Sequence, residues 1–184
     1  MSAGAARKER ELKFRCDDLD GLRGRLVELE AERQQPSGLE ENEIFDLDGQ
    51  LESAGSLLRL RQDGRGTRLT FKGPATFEGE VKVRHEHEIT VDDAEQARAL
   101  IESLGYRRVG VYQKYREEWL LGGVIIALDH TPIGGFAEFE GEGAERVADR
   151  CRFSPADAER RNYAQLYKDY RKQNADAPAD MVFP

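Results

Sequence analysis

Three charged residues near the start of the chain have a spacing that could build a binding site. Glu9, Glu11 and Lys13 are separated by single residues. In a β-strand, alternate side chains point to the same face, so two carboxylates and an ammonium group would lie in one row. A half-buried strand usually scatters its polar residues along one face without such an order. The row therefore predicts a site that binds a metal ion and an anion together.

Similar charged rows occur in later segments that alternate like strands. In each row the charged side chains share one parity, opposite to apolar residues such as Leu60, Phe71 and Val83. The basic rows contain Arg59, Arg61, Arg68, Lys72, Lys82, Arg84, Lys114 and Arg116, and the acidic rows contain Glu86, Glu88, Asp129, Glu138 and Glu140. A merely solvated face would use Ser, Thr and Gln as freely as charges, so the pattern favours a closed sheet with its charges inside. Buried charges are costly unless they are paired or neutralised, which implies ligands of both signs.

The residue types restrict the chemistry of such an interior. Carboxylate oxygens suit hard divalent ions such as Mg²⁺ and Mn²⁺, whereas Arg and Lys suit a polyphosphate chain. Phosphoryl and nucleotidyl transfer depend mainly on positioning and charge neutralisation, which basic side chains and metal ions supply. The sequence contains no GxxxxGK[ST] phosphate-binding loop. The charged rows are therefore the candidate phosphate site.

The local pattern predicts the elements that carry these rows. Helices are expected from Asp17 and Asp18 to about residue 34, after Asp92, over 144–152, and from Ser154-Pro155 to about residue 172. Strands are expected at 42–48, 57–62, 67–73, 81–91, 109–121, 124–129 and 135–141, with a hairpin turn at 63–66. Residues 173–184 are predicted to be loosely ordered. The pattern predicts a single domain over residues 1–184, with its core at 7–172.

The composition narrows the class of protein. The chain has 184 residues, a charged fraction of 35% and a net charge of −8, which argues against a general nucleic-acid-binding surface. No apolar run is long enough to span a bilayer, and the N-terminal residues lack a signal-peptide core. Cys16 and Cys151 have no CxxC or metal-ligand spacing and are expected to be reduced thiols. These features predict a soluble cytoplasmic protein without nucleic-acid or membrane partners.

Taken together, the charged motifs resemble those of the CYTH superfamily, the triphosphate tunnel metalloenzymes. The matching segments follow the family's order: Glu9-x-Glu11-x-Lys13, Leu58–Arg61, Thr70–Gly73, Glu86–Glu88, Lys114–Arg116, Asp129, Gly135–Glu140 and Asn162–Leu166. A single ExExK is a weak motif, whereas six charged rows in the family's order are specific, with Asp129 and Gly135–Glu140 counted as one row and the helical segment Asn162–Leu166 left out. The resemblance implies an α+β fold: an eight-stranded antiparallel β-barrel tunnel with a charged lumen and flanking helices. Such a tunnel holds a triphosphate and usually two divalent ions, here Mg²⁺ or Mn²⁺.

The resemblance also implies roles for individual residues. The metal ligands would be Glu9, Glu11, Asp129, Glu138 and Glu140. The triphosphate would be bound by Lys13, Arg59, Arg61, Lys72, Lys114 and Arg116, with Lys13 and Lys114 also serving in catalysis. The supporting residues would be Glu86, Glu88 and Tyr163. Arg68, Lys82 and Arg84 match the parity of the rows but fit the family motif less well. The aromatic residues Tyr112, Tyr115 and Trp119 are expected in the core on the outer face, and His85 and His87 outside the lumen.

Two reactions fit this site. A triphosphatase would use metal-activated water to hydrolyse tripolyphosphate or an organic triphosphate such as thiamine triphosphate. A class IV adenylate cyclase would convert ATP to cyclic AMP and pyrophosphate with the same metals and basic residues. The segments Glu11–Arg15 and Leu128–His130 resemble the cyclases more closely, yet no adenine pocket is recognisable in the sequence. Hydrolysis is favoured slightly, because water needs no second pocket.

Two further alternatives stay open at this point. One is a non-catalytic polyphosphate-binding module that keeps the tunnel without turnover, although every acidic row is present in the sequence. The other concerns assembly, since the resemblance to the cyclases leaves a homodimer open.

Overall fold

Nine strands and five α-helices are present in residues 7–184, the part of the chain that the structure, a computed structural model, describes. The strands are β1 (Arg7–Arg15), β2 (Glu32–Asp46), β3 (Leu57–Asp63), β4 (Gly66–Lys72), β5 (Thr76–Glu78), β6 (Val81–Val91), β7 (Arg107–Leu121), β8 (Val124–Thr131) and β9 (Gly134–Glu140). The helices are α1 (Leu19–Glu28), α2 (Gln50–Ser53), α3 (Ala94–Ser103), α4 (Ala144–Arg150) and α5 (Tyr163–Gln173). The prediction about the signal peptide and the first six residues of the predicted domain lie outside the described residues.

Eight of the strands close into an antiparallel barrel. The strand order is β1-β9-β8-β7-β2-β3-β4-β6, and β1 pairs with β6 to complete the circle. β1 makes both closing contacts, because Glu11 lies opposite Lys82 of β6 and opposite Glu140 of β9. β5 is a short additional strand beside β6. The predicted eight-stranded antiparallel barrel is confirmed.

The main apolar core lies outside the barrel, between its wall and the helices. Alternate residues of a strand face opposite sides, so Leu12 and Phe14 of β1 point outward where their neighbours Glu11 and Lys13 point inward. These outward side chains are buried with residues of α1 and α4 such as Leu26 and Val147. A second cluster places α3 against β2 and β3. The helices therefore bury the apolar face of the sheet and leave the lumen to the charged rows.

The segment before residue 42 differs from its prediction. The first helix ends at Glu28 instead of about residue 34, and β2 begins at Glu32. The turn-like residues Gln35-Pro36-Ser37-Gly38 lie within β2, where the pairing with β7 shifts register twice. Bulges accommodate extra residues in a strand, and they tolerate proline because it has no ladder hydrogen bond to lose there. The residues Gln35-Pro36-Ser37-Gly38, which are typical of a turn, therefore mark an irregular part of a strand and not a loop.

The C-terminal part also differs from its prediction. Pro155–Asp157 form a 3₁₀ turn, and α5 begins separately at Tyr163 with Asn162 as its cap. The prediction of a loosely ordered tail is wrong for its last residues. Met181 is 1% exposed and forms a parallel bridge with Tyr112. Its backbone exchanges hydrogen bonds with Val111 and Gln113. The tail therefore holds α5 against the barrel.

Among the described residues, none of the helices has both the length and the apolar character needed to cross a bilayer.

Candidate active site in the barrel lumen

The lumen contains a cavity of about 360 Å³ whose walls are mainly charged. Ten basic residues and seven glutamates line it, although the whole chain has a net charge of −8. The basic residues are Lys13, Arg59, Arg61, Arg65, Arg68, Lys72, Lys82, Arg84, Lys114 and Arg116, and the acidic residues are Glu9, Glu11, Glu86, Glu88, Glu118, Glu138 and Glu140. Tyr163 also lines the cavity. All predicted site residues except Asp129 therefore border one space, and Asp129 contacts two of the basic residues.

Asp129 organises a buried charge cluster at the end of the lumen that α5 covers. Its fully buried carboxylate accepts hydrogen bonds from Lys114 Nζ at 3.0 Å, from Arg116 Nε at 2.7 Å and from the Tyr163 hydroxyl at 2.7 Å. Burial and the charge of Asp129 raise the pKa of Tyr163 well above its ordinary value. The hydroxyl therefore stays protonated and donates a hydrogen bond to Asp129. Tyr163 thus reaches the lumen as predicted. Asp129 orients both basic residues in this arrangement, and it could bind a metal ion only by exchanging these partners.

Lys13 lies at the centre of the same end. Its Nζ is 3.2 Å from Glu138 Oε1, 3.5 Å from Glu11 Oε1 and 4.3 Å from the centre of the Tyr163 ring. Burial lowers the pKa of Lys13, but the carboxylates of Glu138 and Glu11 outweigh this effect and raise it above the ordinary value. The pKa of Lys114 is likewise raised, since Asp129 and Glu40 outweigh burial and the repulsion from Arg116. Both ammonium groups are therefore protonated at neutral pH.

The carboxylates that could bind a metal ion lie on adjacent strands. Glu11 of β1 is opposite Glu140 of β9, and Glu138 is opposite Lys13. Burial raises the pKa of Glu138, but Lys13 and Arg116 lower it well below the ordinary value, so the group is ionised. In residues 7–184, no three His, Cys, Asp or Glu side chains lie close enough together to hold a metal ion. The oxygen donors fit a hard divalent ion chemically, but binding one would require some of them to leave their basic partners.

The middle of the lumen contains two further ion-pair groups. Lys72 Nζ is 2.5 Å from Glu9 Oε1 and 3.3 Å from Glu86 Oε2. Burial raises the pKa of Glu9, but Lys72 outweighs it and the pKa is lowered overall. Glu88 accepts hydrogen bonds from Arg61 Nη2 at 3.1 Å and from the Thr70 hydroxyl at 2.8 Å. Glu86 and Glu88 therefore each contact a basic side chain of the lumen.

Three basic residues of the lumen lack a carboxylate partner among the described residues, and two of them, Arg59 and Lys82, also lack the backbone carbonyl partners that Arg84 has. Within the described part of the chain, neither Arg59 nor Lys82 has a carboxylate oxygen within 4.0 Å. Arg59 is 7% exposed, its Nη1 donates to the Tyr112 hydroxyl at 3.3 Å, and its buried Nε has no hydrogen-bond acceptor. Burial and the nearby cations Lys13 and Arg84 lower the pKa of Lys82, although Glu11 partly opposes them. Arg59 is buried and Lys82 is half-buried. A cation that is removed from water without a charged partner is costly, so an anion would be favourable beside both residues.

Arg84 and Arg68 face the lumen but are already engaged. Arg84 Nε donates to the Gly73 carbonyl at 2.7 Å, and its Nη2 donates to the Gly55 carbonyl at 3.0 Å. Arg68 donates to Asp63 of the neighbouring strand. Arg84 therefore fixes the loops at the ends of β3 and β4, and Arg68 fixes the β3–β4 hairpin.

Glu40 is a buried charged residue beside the site that the sequence analysis missed; Arg65 and Glu118, which line the cavity, were likewise not predicted as site residues. Glu40 is 1% exposed, lies 3.4 Å from both Lys114 Nζ and Arg61 Nη1, and accepts a hydrogen bond from Asn42 Nδ2 at 3.0 Å. Burial raises its pKa, but Lys114, Arg116 and Arg61 lower it far below the ordinary value. Glu40, Asn42 and Ile44 alternate along β2, which was the available signal. The predicted helix and turn before residue 42 concealed it.

The aromatic predictions have mixed outcomes. Trp119 is buried in the outer core, as predicted. The prediction for Tyr112 is wrong, because Tyr112 lines the lumen and contacts Arg59. It shares the parity of Lys114 and Arg116, which should have placed it there. The prediction for Tyr115 is also wrong, since it is 42% exposed and its ring lies 5.1 Å from that of Phe183.

The histidines and cysteines take no part in the lumen. His85 and His87 are exposed on the opposite face of β6, as predicted. His130, at the end of β8, stacks on Phe183 of the tail. Cys16 and Cys151 are free and buried in the outer core, where burial raises the pKa of Cys151 to about 11.

The chain is therefore an α+β protein with a closed eight-stranded antiparallel barrel and a charged interior. Residues 7–150 match the model of the CYTH domain. The chain is also 30% identical over 136 residues to the adenylate cyclase CyaB of Aeromonas hydrophila, an alignment that covers 72% of this chain and 68% of that protein. The chain belongs to the CYTH domain family.

Solved structures share the fold. The X-ray structure of a Vibrio parahaemolyticus protein superposes with a TM-score of 0.78 at 23% identity, covering 89% of this chain and 99% of its own. HpAC1 from Hippeastrum, for which a dominant triphosphatase activity is described, superposes with a TM-score of 0.58 at 18% identity. This comparison covers 91% of this chain and 88% of HpAC1. At these identities the likeness concerns the fold.

Proposed function

We propose that this chain is a divalent-metal-dependent triphosphatase that binds its substrate in the barrel lumen. The observation that supports this proposal is the excess of basic over acidic residues around the cavity. Arg59 and Lys82 have no carboxylate partner among the described residues, and the buried Arg59 Nε has no acceptor. A triphosphate would supply the missing negative charge and the missing acceptors. Inorganic tripolyphosphate or an organic triphosphate would suit this requirement.

The basic residues would bind and orient the phosphate chain. Arg59, Arg61 and Lys72 lie on the β3–β4 side of the lumen, and Lys13, Lys114 and Arg116 lie on the side that Tyr163 covers. Because the pKa values of Lys13 and Lys114 are raised, their role is to stabilise negative charge on the leaving diphosphate, not to accept a proton. Fixed cations in a site that excludes water are effective in this role. Tyr163 holds both lysines in place through its ring.

Glu11, Glu138 and Glu140 are the oxygen donors best placed to hold Mg²⁺ or Mn²⁺, with Glu9 and Asp129 as further proposed ligands. Such an ion supplies charge neutralisation and an activated water. Glu138 now pairs with Lys13 and Arg116. Phosphate oxygens compete for the same two cations, so substrate binding would free the carboxylate. In the ligand-free site, most charges of the lumen are therefore neutralised by one another.

The second candidate function is a class IV adenylate cyclase. The 30% identity to the adenylate cyclase CyaB favours it, whereas the fold shared with the triphosphatase HpAC1 is compatible with hydrolysis. The third candidate, a non-catalytic polyphosphate-binding module, is less favoured because every predicted carboxylate is present. We also propose a cytoplasmic location, since both cysteines are free and buried.

A product assay distinguishes these candidates. Purified protein is incubated with ATP and, separately, with tripolyphosphate, in Mg²⁺ and in Mn²⁺. Orthophosphate without cyclic nucleotide is the result expected for the triphosphatase. Cyclic AMP with pyrophosphate would establish the cyclase instead, and binding without any product would establish the third candidate.

Glu11→Gln tests the proposed metal site. The substitution removes a ligand charge but keeps the shape, so metal-dependent turnover should fall by at least about 100-fold with an unchanged circular dichroism spectrum. The matched control is Glu118→Gln, at the opposite end of the same cavity, where Glu118 pairs with Arg65. Full activity of Glu11→Gln would remove Glu11 from the metal site.

A further inference from the structure

Glu40 lies in the barrel wall behind the charged lumen, where a ligand in the cavity does not reach it. Its side chain is 1% exposed and does not border the cavity. It shares the inward parity of Asn42 and Ile44 along β2, and Ile44 does border the cavity. Glu40 is opposite Lys114 of β7, and Asn42 is opposite Arg61 of β3. Glu40 therefore lies between two of the basic residues that are proposed to bind phosphate.

Both carboxylate oxygens of Glu40 are engaged by neighbouring side chains. Its Oε2 accepts a hydrogen bond from Arg61 Nη1 at 3.4 Å, and its Oε1 lies 3.4 Å from Lys114 Nζ. Oε1 also accepts a hydrogen bond from Asn42 Nδ2 at 3.0 Å. One carboxylate thus contacts two cations that come from different strands of the barrel.

Each of the two cations has a second carboxylate partner that a phosphate could replace. Arg61 Nη2 is 3.1 Å from Glu88, which borders the cavity, and Lys114 Nζ is 3.0 Å from Asp129. Phosphate oxygens in the cavity compete with these carboxylates for the same donors. The contact between Arg61 Nη1 and Glu40 lies behind the wall, so the ligand does not replace it. Glu40 therefore stays beside both cations when a ligand binds.

Asn42 supports the same interpretation at a cost in stability. It is fully buried, and its Oδ1 has no hydrogen-bond donor among the described residues. The reversed amide would place this oxygen beside the Glu40 carboxylate, where two acceptors would meet. A buried polar atom without a partner is rare and destabilising. The amide is thus oriented toward Glu40 at the expense of its own acceptor.

We propose that Glu40 is a positioning residue of the lumen: it holds Lys114 and Arg61 in the geometry that binds the phosphate chain, without touching the ligand. This inference rests on the proposed triphosphate site. Loss of Glu40 then acts on binding in two opposite ways. Removal of a negative charge makes the lumen more positive, which by itself strengthens the binding of an anion. Removal of the group that orients two phosphate-binding cations weakens it.

Three variants separate orientation from charge and from packing. Glu40→Gln keeps the size and removes the charge, whereas Glu40→Asp keeps the charge and shortens the side chain. The matched control is Glu41→Gln, which removes one charge from the opposite face of β2, where Glu41 accepts a hydrogen bond from Gln113. The Kd for tripolyphosphate is measured by calorimetry with Mg²⁺ present, and circular dichroism confirms folding. Glu40→Gln is also introduced into Lys114→Met protein.

Glu40→Gln should raise the Kd at least about tenfold, although it makes the lumen more positive. Glu40→Asp should raise it by only about threefold, because the counter-ion is kept at a shorter reach. Glu41→Gln should change it less than about twofold. In Lys114→Met protein, the effect of Glu40→Gln should shrink to less than about threefold, because one of the two partners is gone.

Unchanged or tighter binding by Glu40→Gln would overturn the inference. A larger loss in Glu40→Asp than in Glu40→Gln would also overturn it, since that order indicates a packing role. If Glu40→Gln does not fold, unchanged binding by Glu40→Asp overturns the inference in its place. Wild-type protein that does not bind tripolyphosphate would contradict the proposed triphosphate site together with this inference, whereas the variant results concern Glu40 alone.

Discussion

At the scale of single residues, a buried charge in the lumen that favours ligand binding lowers the stability of the ligand-free protein. Most charges of the lumen are paired, as Lys72 is with Glu9 and Arg116 is with Asp129. Arg59 has the most to gain from a ligand, because its guanidinium group is buried beside the Tyr112 hydroxyl and has no carboxylate within 4.0 Å among the described residues. Active sites commonly sacrifice stability in this way.

Arg59→Met tests this effect. The substitution keeps an unbranched side chain but removes the buried charge, so the free energy of unfolding without ligand should rise by about 1 kcal/mol or more. The Kd for tripolyphosphate should rise at least about tenfold, because several phosphate contacts are lost. Urea unfolding and calorimetry measure the two quantities. The control is Arg65→Met, which removes the half-exposed ion pair between Arg65 and Glu118 at the opposite end of the lumen. A destabilised variant with unchanged binding would contradict the assignment of Arg59.

A second residue-scale prediction concerns pH. Glu43 faces away from the lumen, is buried, and accepts hydrogen bonds from Arg98 of α3. Arg98 lowers the pKa of Glu43, although burial opposes it. A carboxyl group with a lowered pKa stabilises the fold above its unfolded-state pKa, and this contribution is lost as the pH falls through the folded-state value.

Glu43→Gln should therefore lower the free energy of unfolding by roughly 1–2 kcal/mol at pH 7, and this difference should shrink as the pH falls below about 4.5. Urea unfolding of both proteins between pH 3 and pH 7 measures the difference. The control is Glu95→Gln, at an exposed position of α3, the helix that carries Arg98. It should show little effect at any pH. A difference that stays constant with pH would assign the effect of Glu43→Gln to packing.

At the scale of elements, the charged rows were predictable and the irregular elements were not. A row such as Glu9, Glu11 and Lys13 follows from strand periodicity alone, since parity decides the face. Glu40 was hidden because Pro36 and Gly38 favour a turn locally, while long-range pairing with β7 makes the segment a bulged strand. Tertiary pairing that overrides local preference cannot be read from a short window.

The tail illustrates the same limit. Residues 173–184, the last of the sequence, contain three alanines and two prolines and show no helix or strand periodicity, which predicts loose order. Yet the Tyr167 hydroxyl donates to the carbonyls of Pro178 and Asp180, and Met181 fills the cluster around Phe136 and Tyr163. These contacts come from α5, which directly precedes the tail, and from β7 and β9, which are distant in sequence.

Met181→Ala should therefore destabilise the protein by about 2 kcal/mol or more, because it removes a fully buried side chain. Met181→Leu keeps the volume and should cost less than about 1.5 kcal/mol. Thermal unfolding of the two variants measures the difference. Equal melting temperatures for Met181→Ala and wild type would show that the tail does not contribute to the core in solution.

At the scale of the whole molecule, basic residues are concentrated in the interior of an acidic chain. The chain carries −8 overall, while basic residues outnumber acidic ones around the cavity. The positive charge is therefore concentrated where a ligand would be enclosed, and binding should stabilise the entire barrel, since all eight strands contribute to its wall.

Tripolyphosphate at about 100 times its Kd, with Mg²⁺, should raise the melting temperature by roughly 5–10 °C, which corresponds to about 2.7 kcal/mol of binding free energy. Scanning calorimetry measures the shift. Orthophosphate at equal concentration should give a much smaller one. A shift as large with orthophosphate would indicate screening by any anion and not recognition of the phosphate chain.

The position of β1 as the closing strand has a consequence for the order in which the protein can fold. β1 joins β6 and β9, so the barrel cannot close before β9 has been synthesised. Until then, the outward side chains Leu12 and Phe14 lack the β9 partners that bury them in the native state. Long-range pairing of this kind slows folding and prolongs the exposure of apolar strands. The strand that carries the first charged row is therefore made before the partners it needs, and the active site is assembled only when the barrel closes.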